Sequence, residues 1–339
     1  MQSFINRLWY GKPSLLNVIT ALLLLPLSLL FYLLSSCRRL SFRLGFSKAY
    51  RLSVPVIVVG NITVGGSGKT PTVIYLIELL RRQGYRPGVI SRGYGVDFIG
   101  TRLVKIGMSP NEVGDEPAMI VGRTHVPMVI GRDRVAAAQQ LLAEAEVDII
   151  ISDDGLQHYR LHRDVELLIL DGERRFGNGF LLPAGPLREG VWRQKQVDFT
   201  IVNGEHCLER EFAMQLLPSA FKPVVSDNLD EFRLESDAVA LAGIGNPQRF
   251  FDTLSQQGIR VSQHYSFDDH QAFSLNDIES VAADKQVLMT EKDAVKCREF
   301  ATQNWWYLPV DAKIDARFDQ QLLALLQQKK IEQGNNHGV

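Results

Sequence analysis

The 339-residue chain has little of what marks several protein classes. Its three cysteines, Cys37, Cys207 and Cys297, are spaced like neither a metal site nor a disulfide framework, which favours free thiols in a reducing compartment. The formal net charge is −1, so no basic field points to nucleic acid as a partner. Repeats and low-complexity tracts are missing, and we expect disorder only in the tail, residues 331–339. These absences leave a globular protein that is long enough for two lobes.

One segment departs from this ordinary composition. Residues 14–36 read SLLNVITALLLLPLSLLFYLLSS, without a charged residue. A helix rising about 1.5 Å per residue can cross a hydrocarbon core of about 30 Å with this length, and Pro26 only kinks it. A cleaved signal peptide and a buried soluble helix are the alternatives, but no cleavage site follows and the run is apolar on every side. We therefore predict an N-terminal membrane helix within residues 1–36.

Basic residues flank this helix unevenly. Arg7 and Lys12 precede it, whereas a larger basic set follows it: Arg38, Arg39, Arg43, Lys48 and Arg51. The positive-inside rule then puts the rest of the chain in the cytoplasm, and the same residues can hold anionic headgroups. Whether the helix spans the bilayer or lies in its interface stays open.

The rest of the chain alternates apolar strands with amphipathic helices. The first strand, over 54–60, leads through a glycine-rich turn into a helix over 69–83. Further strands are predicted over 87–90, 126–130, 147–151, 166–170 and 199–202. Helices between some of them are predicted over 116–121 and 133–145. This alternation predicts an α/β fold, a parallel sheet with helices on both faces, in a lobe of residues 37–222.

A second alternating set predicts a smaller C-terminal α/β lobe over residues 237–330. Its strands are predicted over 239–242, 259–264, 286–290 and 305–310. Its helices are predicted over 247–257, 275–283, 291–300 and 318–328. Strand-like patches around Asn228 suggest that residues 223–236 form a hairpin linking the lobes.

The most specific local signal is Thr63-Val64-Gly65-Gly66-Ser67-Gly68-Lys69-Thr70, between the first strand and its helix. Such a loop turns successive N–H groups towards one phosphate, and the helix N-terminus adds partial positive charge. Lys69 can reach the β- and γ-phosphates and Thr70 can offer a hydroxyl to Mg²⁺. The general P-loop pattern begins with glycine, where this chain has Thr63. We predict that residues 63–70 bind the phosphates of ATP.

The strand over 147–151 runs into Ser152-Asp153-Asp154-Gly155. Ligands of parallel α/β sheets gather beyond the carboxyl ends of the strands, so we expect both carboxylates near the P-loop. With Thr70 they are predicted to hold Mg²⁺, in a Walker-B arrangement. An ordinary Asp-Asp-Gly turn is the alternative, and which aspartate contacts the metal directly stays open.

Asp115 and His270 are ambiguous from local sequence. Asp115 suits the N-cap of a helix, and a loop histidine is usually just solvated. A kinase that acts on a hydroxyl nevertheless needs a group that accepts its proton. A carboxylate oriented by a histidine would meet that need.

Motifs along nearly the whole chain resemble one family. In chain order they are the N-terminal apolar helix, VGNITVGGSGKTP, SRGYG, VGDEP, ISDDGLQH, LLPAGPLRE, GIGNPQRF, the DDHQAF loop and LMTEKDAVK. In these motifs the chain resembles the tetraacyldisaccharide 4'-kinases, the lipid A 4'-kinases of Gram-negative bacteria. The resemblance implies a P-loop lobe, a smaller lobe and a membrane helix at the inner membrane. It also implies transfer of the γ-phosphate of ATP to the 4'-hydroxyl of a tetraacyl glucosamine disaccharide 1-phosphate, which forms lipid IVA.

The resemblance further implies residue roles. Asp115 would be the general base, paired with His270 from the other lobe, with Glu116 as a weaker candidate. Catalysis and the binding of phosphate and Mg²⁺ would fall to residues already singled out: Lys69, Thr70, Asp153 and Asp154. Other polar residues beside the motifs could contact phosphate or sugar, or could simply be solvated: Arg92, Arg132, Arg134, Gln157, His158, Arg188 and Asn246.

The alternative function is a nucleotide-dependent switch or a metallochaperone-type ATPase. Their P-loops also carry paired glycines before Gly-Lys-Thr, but typically have lysine where this chain has Val64. Neither the membrane helix nor the His270 loop is expected in them. A membrane-bound scaffold with an inactive P-loop is a third possibility, against which the intact Lys69 and Thr70 argue.

Overall fold

A computed structural model describes most of the chain: residues 2–12, 14–204, 207–225, 231–235, 237–269, 271, 273–282 and 284–336, with the backbone alone for 2–3 and 331–336. The predictions made for Asn228, for His270 and for residues 337–339 fall outside this part of the chain. The last helix extends through residues 331–336, part of the tail for which we predicted disorder.

The helices follow the predicted order, with short additions. Their bounds are α1 Gln2–Tyr10, α2 Leu15–Arg43, α3 Lys69–Arg82, α4 Pro110–Val113, α5 Asp115–Thr124, α6 Arg134–Glu144, α7 Pro247–Gln256, α8 Leu275–Ala282, α9 Glu291–Cys297 and α10 Ala316–Asn336. A 3₁₀ helix covers Val191–Lys195.

The strands form two sheets. Their bounds are β1 Val56–Gly60, β2 Pro87–Ser91, β3 Thr101–Val104, β4 Met128–Gly131, β5 Ile149–Asp153, β6 Val165–Asp171, β7 Phe199–Asn203, β8 Phe212–Pro218, β9 Lys222–Pro223, β10 Val239–Ala242, β11 Gln263–Ser266, β12 Val287–Thr290, β13 Trp305–Leu308 and β14 Val310–Ile314.

The larger sheet has nine strands in the order β14-β8-β7-β6-β1-β5-β2-β4-β3. Every neighbouring pair is parallel except at the two edges, where β14 and β3 run antiparallel. Successive residues of β1 face opposite sides, so Ile57 packs with α3 and α10 while Val58 packs with α6. The predicted α/β fold, with helices on both faces of a parallel sheet, is confirmed.

The smaller lobe is built on a five-stranded sheet in the order β11-β10-β12-β13-β9. Its edge strand β9 pairs antiparallel with β13 through Pro223 and Trp306, so part of the predicted linker belongs to this sheet. The structure also contradicts the predicted end of the lobe at residue 330. The chain leaves the smaller sheet after Leu308, and β14 returns to pair with β8 in the larger one.

An aromatic cluster explains this return. The Phe318 ring of α10 lies 5.4 Å from the Phe199 ring and 5.6 Å from the Phe212 ring, measured between centroids. Phe318, Leu322 and Leu326 are buried in the core of the larger lobe. The periodicity of α10 predicted a helix correctly but carried no information about which sheet it covers.

The N-terminal helix is longer than predicted and is preceded by a second one. Helix α2 continues through Arg38, Arg39 and Arg43, which the sequence placed after the helix. Within the described residues, α2 is the one helix with the length and hydropathy to cross a membrane. It exposes a row of large apolar side chains, among them Leu16, Leu22, Leu23, Leu27, Leu30 and Leu34. Such a surface is suited to lipid.

We predict that Phe318→Ala lowers the free energy of unfolding of the larger lobe by about 3–5 kcal/mol, because it empties a fully buried site. Chemical denaturation of the detergent-solubilised protein measures this change. The exposed Gln321 on the same helix supplies the control, Gln321→Ala, which should leave stability nearly unchanged. Equal effects of the two variants would show that α10 does not hold the lobe together.

Candidate active site

The P-loop leaves the carboxyl end of β1, near the middle of the larger sheet, and enters α3 at Lys69. Gly65 and Gly68 have φ angles of 111° and 98°, a backbone region that side chains rarely adopt. A Cβ on Gly68 would also lie 2.8 Å from the Met214 methyl carbon and 3.0 Å from Nδ2 of Asn203. Glycine is therefore required where the loop turns into the helix.

Polar side chains hold the loop in shape. Nδ2 of Asn61 donates to the Gly65 carbonyl at 3.2 Å, and Nδ2 of Asn203 donates to the Ser67 carbonyl at 3.4 Å. Residues 64–70 of the predicted phosphate site line one cleft. Thr63 does not; it is buried beneath the loop, where its backbone pairs with Leu187.

The sheet brings the paired aspartates to the same edge. Val59 of β1 lies beside Asp153 of β5 in the parallel register. Asp153 is 1% exposed, and its Oδ2 accepts a hydrogen bond from Ser91 at 3.1 Å. Burial, together with the Glu116 and Asp154 carboxylates, raises the pKa of Asp153 to about 7. A carboxylate in this setting is poised to receive a cation.

Asp154 faces the P-loop lysine directly. Its Oδ1 lies 3.5 Å from Nζ of Lys69, and its Oδ2 lies 3.1 Å from Nη1 of Arg188. Burial raises the pKa of Asp154, but Lys69 and Arg188 outweigh burial and lower it to about 2. Its φ of 47° is a strained value for an aspartate, of the kind that collects at functional sites.

Thr70, Asp153 and Asp154 were predicted to hold Mg²⁺, and all three line the cleft. Oδ1 of Asp153 is buried without a hydrogen-bond partner in the described part of the chain, so an acceptor is available. The described residues contain no group of three or more His, Cys, Asp or Glu residues of the kind that encloses a metal. The set fits Mg²⁺, which prefers oxygen ligands and keeps waters and phosphate oxygens for its remaining positions.

Asp115 begins helix α5, with Gly114 at the N-cap position. Its Oδ2 lies 3.7 Å from Nζ of Lys296, a lysine of α9 in the smaller lobe. The neighbouring Glu116 reaches Lys292 of the same helix, also at 3.7 Å, and lines the cleft. Two lysines of one lobe therefore contact two acidic residues of the other. The predicted partner His270 lies beyond the described residues.

Lys292 is almost enclosed by carboxylates. Its Nζ lies 2.9 Å from Oδ1 of Asp269, one residue before His270. Burial alone would lower the pKa of Lys292, but Glu116 and Asp269 raise it above the ordinary value. Lys292 thus joins Asp269 of the smaller lobe to Glu116 of the larger one.

A cleft of about 1650 Å³ runs between the lobes and reaches α2. A Cβ on Gly245 of the smaller lobe would lie only 3.1 Å from the backbone nitrogen of Gly66 in the P-loop. Arg249 joins the lobes at the same end of the cleft, with Nη2 at 3.2 Å from Oδ2 of Asp171. Phe31 of α2 also lines this cleft. The cleft thus connects the P-loop with the apolar helix α2.

The remaining predicted residues separate into two groups. Cleft-lining positions are occupied by Arg92, Gln157, Arg188 and Asn246. Arg132 pairs with Asp97 on the surface, Arg134 donates to the Gly131 carbonyl, and His158 has its pKa lowered to about 4 by burial and by Arg134. None of these three residues lines the cleft.

Sequence reasoning missed several contacts of the site: Ser91, Glu189, Lys292 and Lys296. Both lysines follow the acidic start of α9, where a pairing within the helix is the default expectation. Nothing local to the sequence identifies Asp115 and Glu116 as their partners. Ser91 lies at the end of a strand, just before Arg92, and this position is only a weak sequence signal for its hydrogen bond to Asp153.

The chain is similar to known proteins of one family. A family model described as tetraacyldisaccharide-1-P 4'-kinase matches residues 20–327. The tetraacyldisaccharide 4'-kinase of Shewanella loihica is 66% identical over 341 residues, covering 99% of this chain and 100% of that protein. The protein of the same name from Shewanella oneidensis is 56% identical, covering 100% of both.

A solved structure is also similar. The crystal structure of an apo form of LpxK from Aquifex aeolicus in complex with ATP matches with a TM-score of 0.76 and 29% identity, covering 91% of this chain and 99% of that one. The family predicted from the motifs is thereby confirmed. With a match over residues 20–327 and relatives this similar along their full length, the chain belongs to the tetraacyldisaccharide-1-phosphate 4'-kinase family.

Proposed function

We propose that this chain transfers the γ-phosphate of ATP to the 4'-hydroxyl of a tetraacyl glucosamine disaccharide 1-phosphate, in lipid A synthesis. The observation that carries the proposal is the contact between Lys69 and Asp154 across the rim shared by β1 and β5. This contact brings the P-loop, which would bind the triphosphate, next to the carboxylates, in a cleft that opens towards the apolar helix α2. A water-soluble nucleotide and a lipid acceptor can meet there.

On the donor side, the P-loop N–H groups and Lys69 bind the β- and γ-phosphates. Arg188 lines the same cleft and contacts Asp154. Its positive charge can stabilise the negative charge of the phosphoryl group during transfer. Thr70, Asp153 and Asp154 would hold Mg²⁺, which neutralises charge on the phosphate oxygens when bound. These residues thus hold the γ-phosphate in place, so that the acceptor hydroxyl can attack it from the open side of the cleft.

On the acceptor side, we assign Asp115 as the general base. The sugar hydroxyl oxygen forms a bond to the γ-phosphorus, the bond from that phosphorus to the β–γ bridging oxygen breaks, and ADP leaves. The hydroxyl proton passes to the Asp115 carboxylate. Lys296, at 3.7 Å, orients that carboxylate from the other lobe, and His270 is its proposed partner. Closing the lobes excludes water from the site.

We also propose that the chain is attached to the cytoplasmic face of the inner membrane, where ATP is available, with α2 lying along the lobe. Just before α2, the Trp9 carbonyl accepts a hydrogen bond from the backbone of Asn178 at 2.8 Å. Near the other end, Arg39 lies 3.8 Å from Glu189. If α2 crossed a hydrocarbon core of about 30 Å, its two ends would lie on opposite sides of the bilayer and could not both contact the same lobe. An in-plane helix that buries its leucines among acyl chains satisfies both contacts.

The transfer reaction itself is tested with purified protein, Mg-ATP and the disaccharide lipid, with products separated by chromatography. We expect ATP consumption to require the lipid and to yield one phosphorylated lipid per ADP. A slow hydrolysis that ignores the lipid would instead favour the nucleotide-dependent switch. Lipid lacking a free 4'-hydroxyl is the matched control and should give no product.

We predict that Asp115→Asn lowers kcat by about 100-fold or more, because the hydroxyl proton loses its acceptor. ATP affinity should stay near the wild-type value, since the phosphate-binding residues are unchanged. Asp97→Asn, at an exposed carboxylate paired only on the surface with Arg132, is the control and should retain full activity. Wild-type turnover by the Asp115 variant would exclude this residue as the base.

The attachment is tested with epitope tags at the two ends of the chain. An in-plane helix keeps both tags on the cytoplasmic side, so protease should remove both from inside-out vesicles and neither from spheroplasts. Removal of the N-terminal tag alone in spheroplasts would show that α2 spans the bilayer.

A further inference from the structure

One short segment contacts both the membrane helix and the P-loop. Residues 181–189, read as LLPAGPLRE and here called the clamp loop, run between α2 and the rim of the larger sheet. The proposed function uses only Arg188 of this loop. The other contacts of the loop point to a role for the membrane helix in catalysis.

On the membrane side, the clamp loop is fastened by a serine of α2. Oγ of Ser28 donates to the Leu181 carbonyl at 2.9 Å and accepts from the Ala184 N–H at 3.0 Å. Nε1 of Trp9 adds a third bond, to the Pro183 carbonyl at 3.1 Å. The backbone of the loop is therefore hydrogen-bonded to the N-terminal helices at Leu181, Pro183 and Ala184.

On the active-site side, the same loop is bonded to the P-loop backbone. The Val64 N–H donates to the Pro186 carbonyl at 2.9 Å, and the Arg188 N–H donates to the Ile62 carbonyl at 2.7 Å. The Arg188 side chain then reaches Asp154 at 3.1 Å. Only three residues separate Ala184 from Arg188, so a shift at one end of the loop is carried to the other.

Ser28 is unusual for its helix. It is 6% exposed, and the buried residues of α2 are Ser28 and Ala21. A hydroxyl in an apolar helix commonly bonds to the carbonyl four residues earlier, as Thr20 does to Leu16 at 2.8 Å. Ser28 instead makes both of its hydrogen bonds, one as donor and one as acceptor, with the clamp loop.

We propose that Ser28 is a positioning residue for phosphoryl transfer. Seating α2 on the lobe fixes the clamp loop through Ser28, and the loop in turn fixes the P-loop backbone and the Arg188–Asp154 pair. Without the hydroxyl, the enclosed N–H of Ala184 loses its acceptor and the Leu181 carbonyl keeps only the Gly185 N–H, so the loop shifts to recover a partner for Ala184. A misplacement of about 1 Å at a reacting group can lower the rate by about 100-fold. This inference rests on the proposed function.

Ser28→Ala tests the proposal, with Thr20→Val as the control that removes a hydroxyl bonded within the helix. In mixed micelles with saturating acceptor, we expect Ser28→Ala to lower kcat about tenfold or more, while the acceptor KM stays near wild type. Flotation with vesicles of phosphatidylethanolamine and phosphatidylglycerol should be unchanged. Thr20→Val should match wild type in each assay.

Two further variants separate positioning from a loss of folded protein. Ser28→Thr restores a hydroxyl and should recover activity. In the double variant Ser28→Ala/Arg188→Ala, the loss should be smaller than the product of the single losses, because both act on one unit. A Ser28→Ala enzyme with wild-type kcat, or one whose loss follows only its folded fraction or vesicle binding, overturns the proposal. Absence of transfer by the wild-type protein would instead refute the proposed function.

Discussion

The parallel pairing of β1 with β5 is the constraint on which the site depends. Parallel strands end at the same edge, so the loop after β1 and the aspartates at the end of β5 must meet there. Their meeting sets opposite charges in contact: Lys69 faces Asp154, while the buried Asp153 keeps an acceptor available. The loop proposed to bind phosphate and the aspartates proposed to bind Mg²⁺ are therefore close enough to share one triphosphate with its metal.

The second lobe supplies what the larger sheet lacks. On helix α9, Lys292 contacts Glu116 of the larger lobe and Lys296 contacts Asp115. Both lysine side chains are largely shielded from water. Charge pairs in such surroundings are costly to separate unless another partner arrives. These ion pairs join the lobes through Asp115, the proposed base, and its neighbour Glu116, so that a substrate bound at the proposed base would compete with them. In this respect the cleft is both a binding site and an interface.

Much of this was predictable because it depends on local patterns. The strand before Thr63, the glycines that follow and the acidic turn after β5 are short-range signals with known chemistry. What the sequence could not reveal depends on distant partners: β14 and α10 joining the larger lobe, Lys296 reaching Asp115, and Ser28 facing a loop more than a hundred residues away. Ser28 was hidden within an apolar run whose composition predicted lipid on every side. The first helix, of nine residues, and β3, of four residues, are too short for a periodic pattern to identify them.

The return of the chain to the larger sheet also bears on folding during synthesis. Strand β8 is completed early, but its outer edge is covered only by β14, made almost a hundred residues later. Until the ribosome has released β14 and α10, the nascent larger lobe has an open strand edge and an uncovered aromatic patch, both of which invite association with other chains. The smaller lobe, translated in between, can fold first. The nucleotide-binding lobe, although it begins first, is the last part of the molecule to be finished.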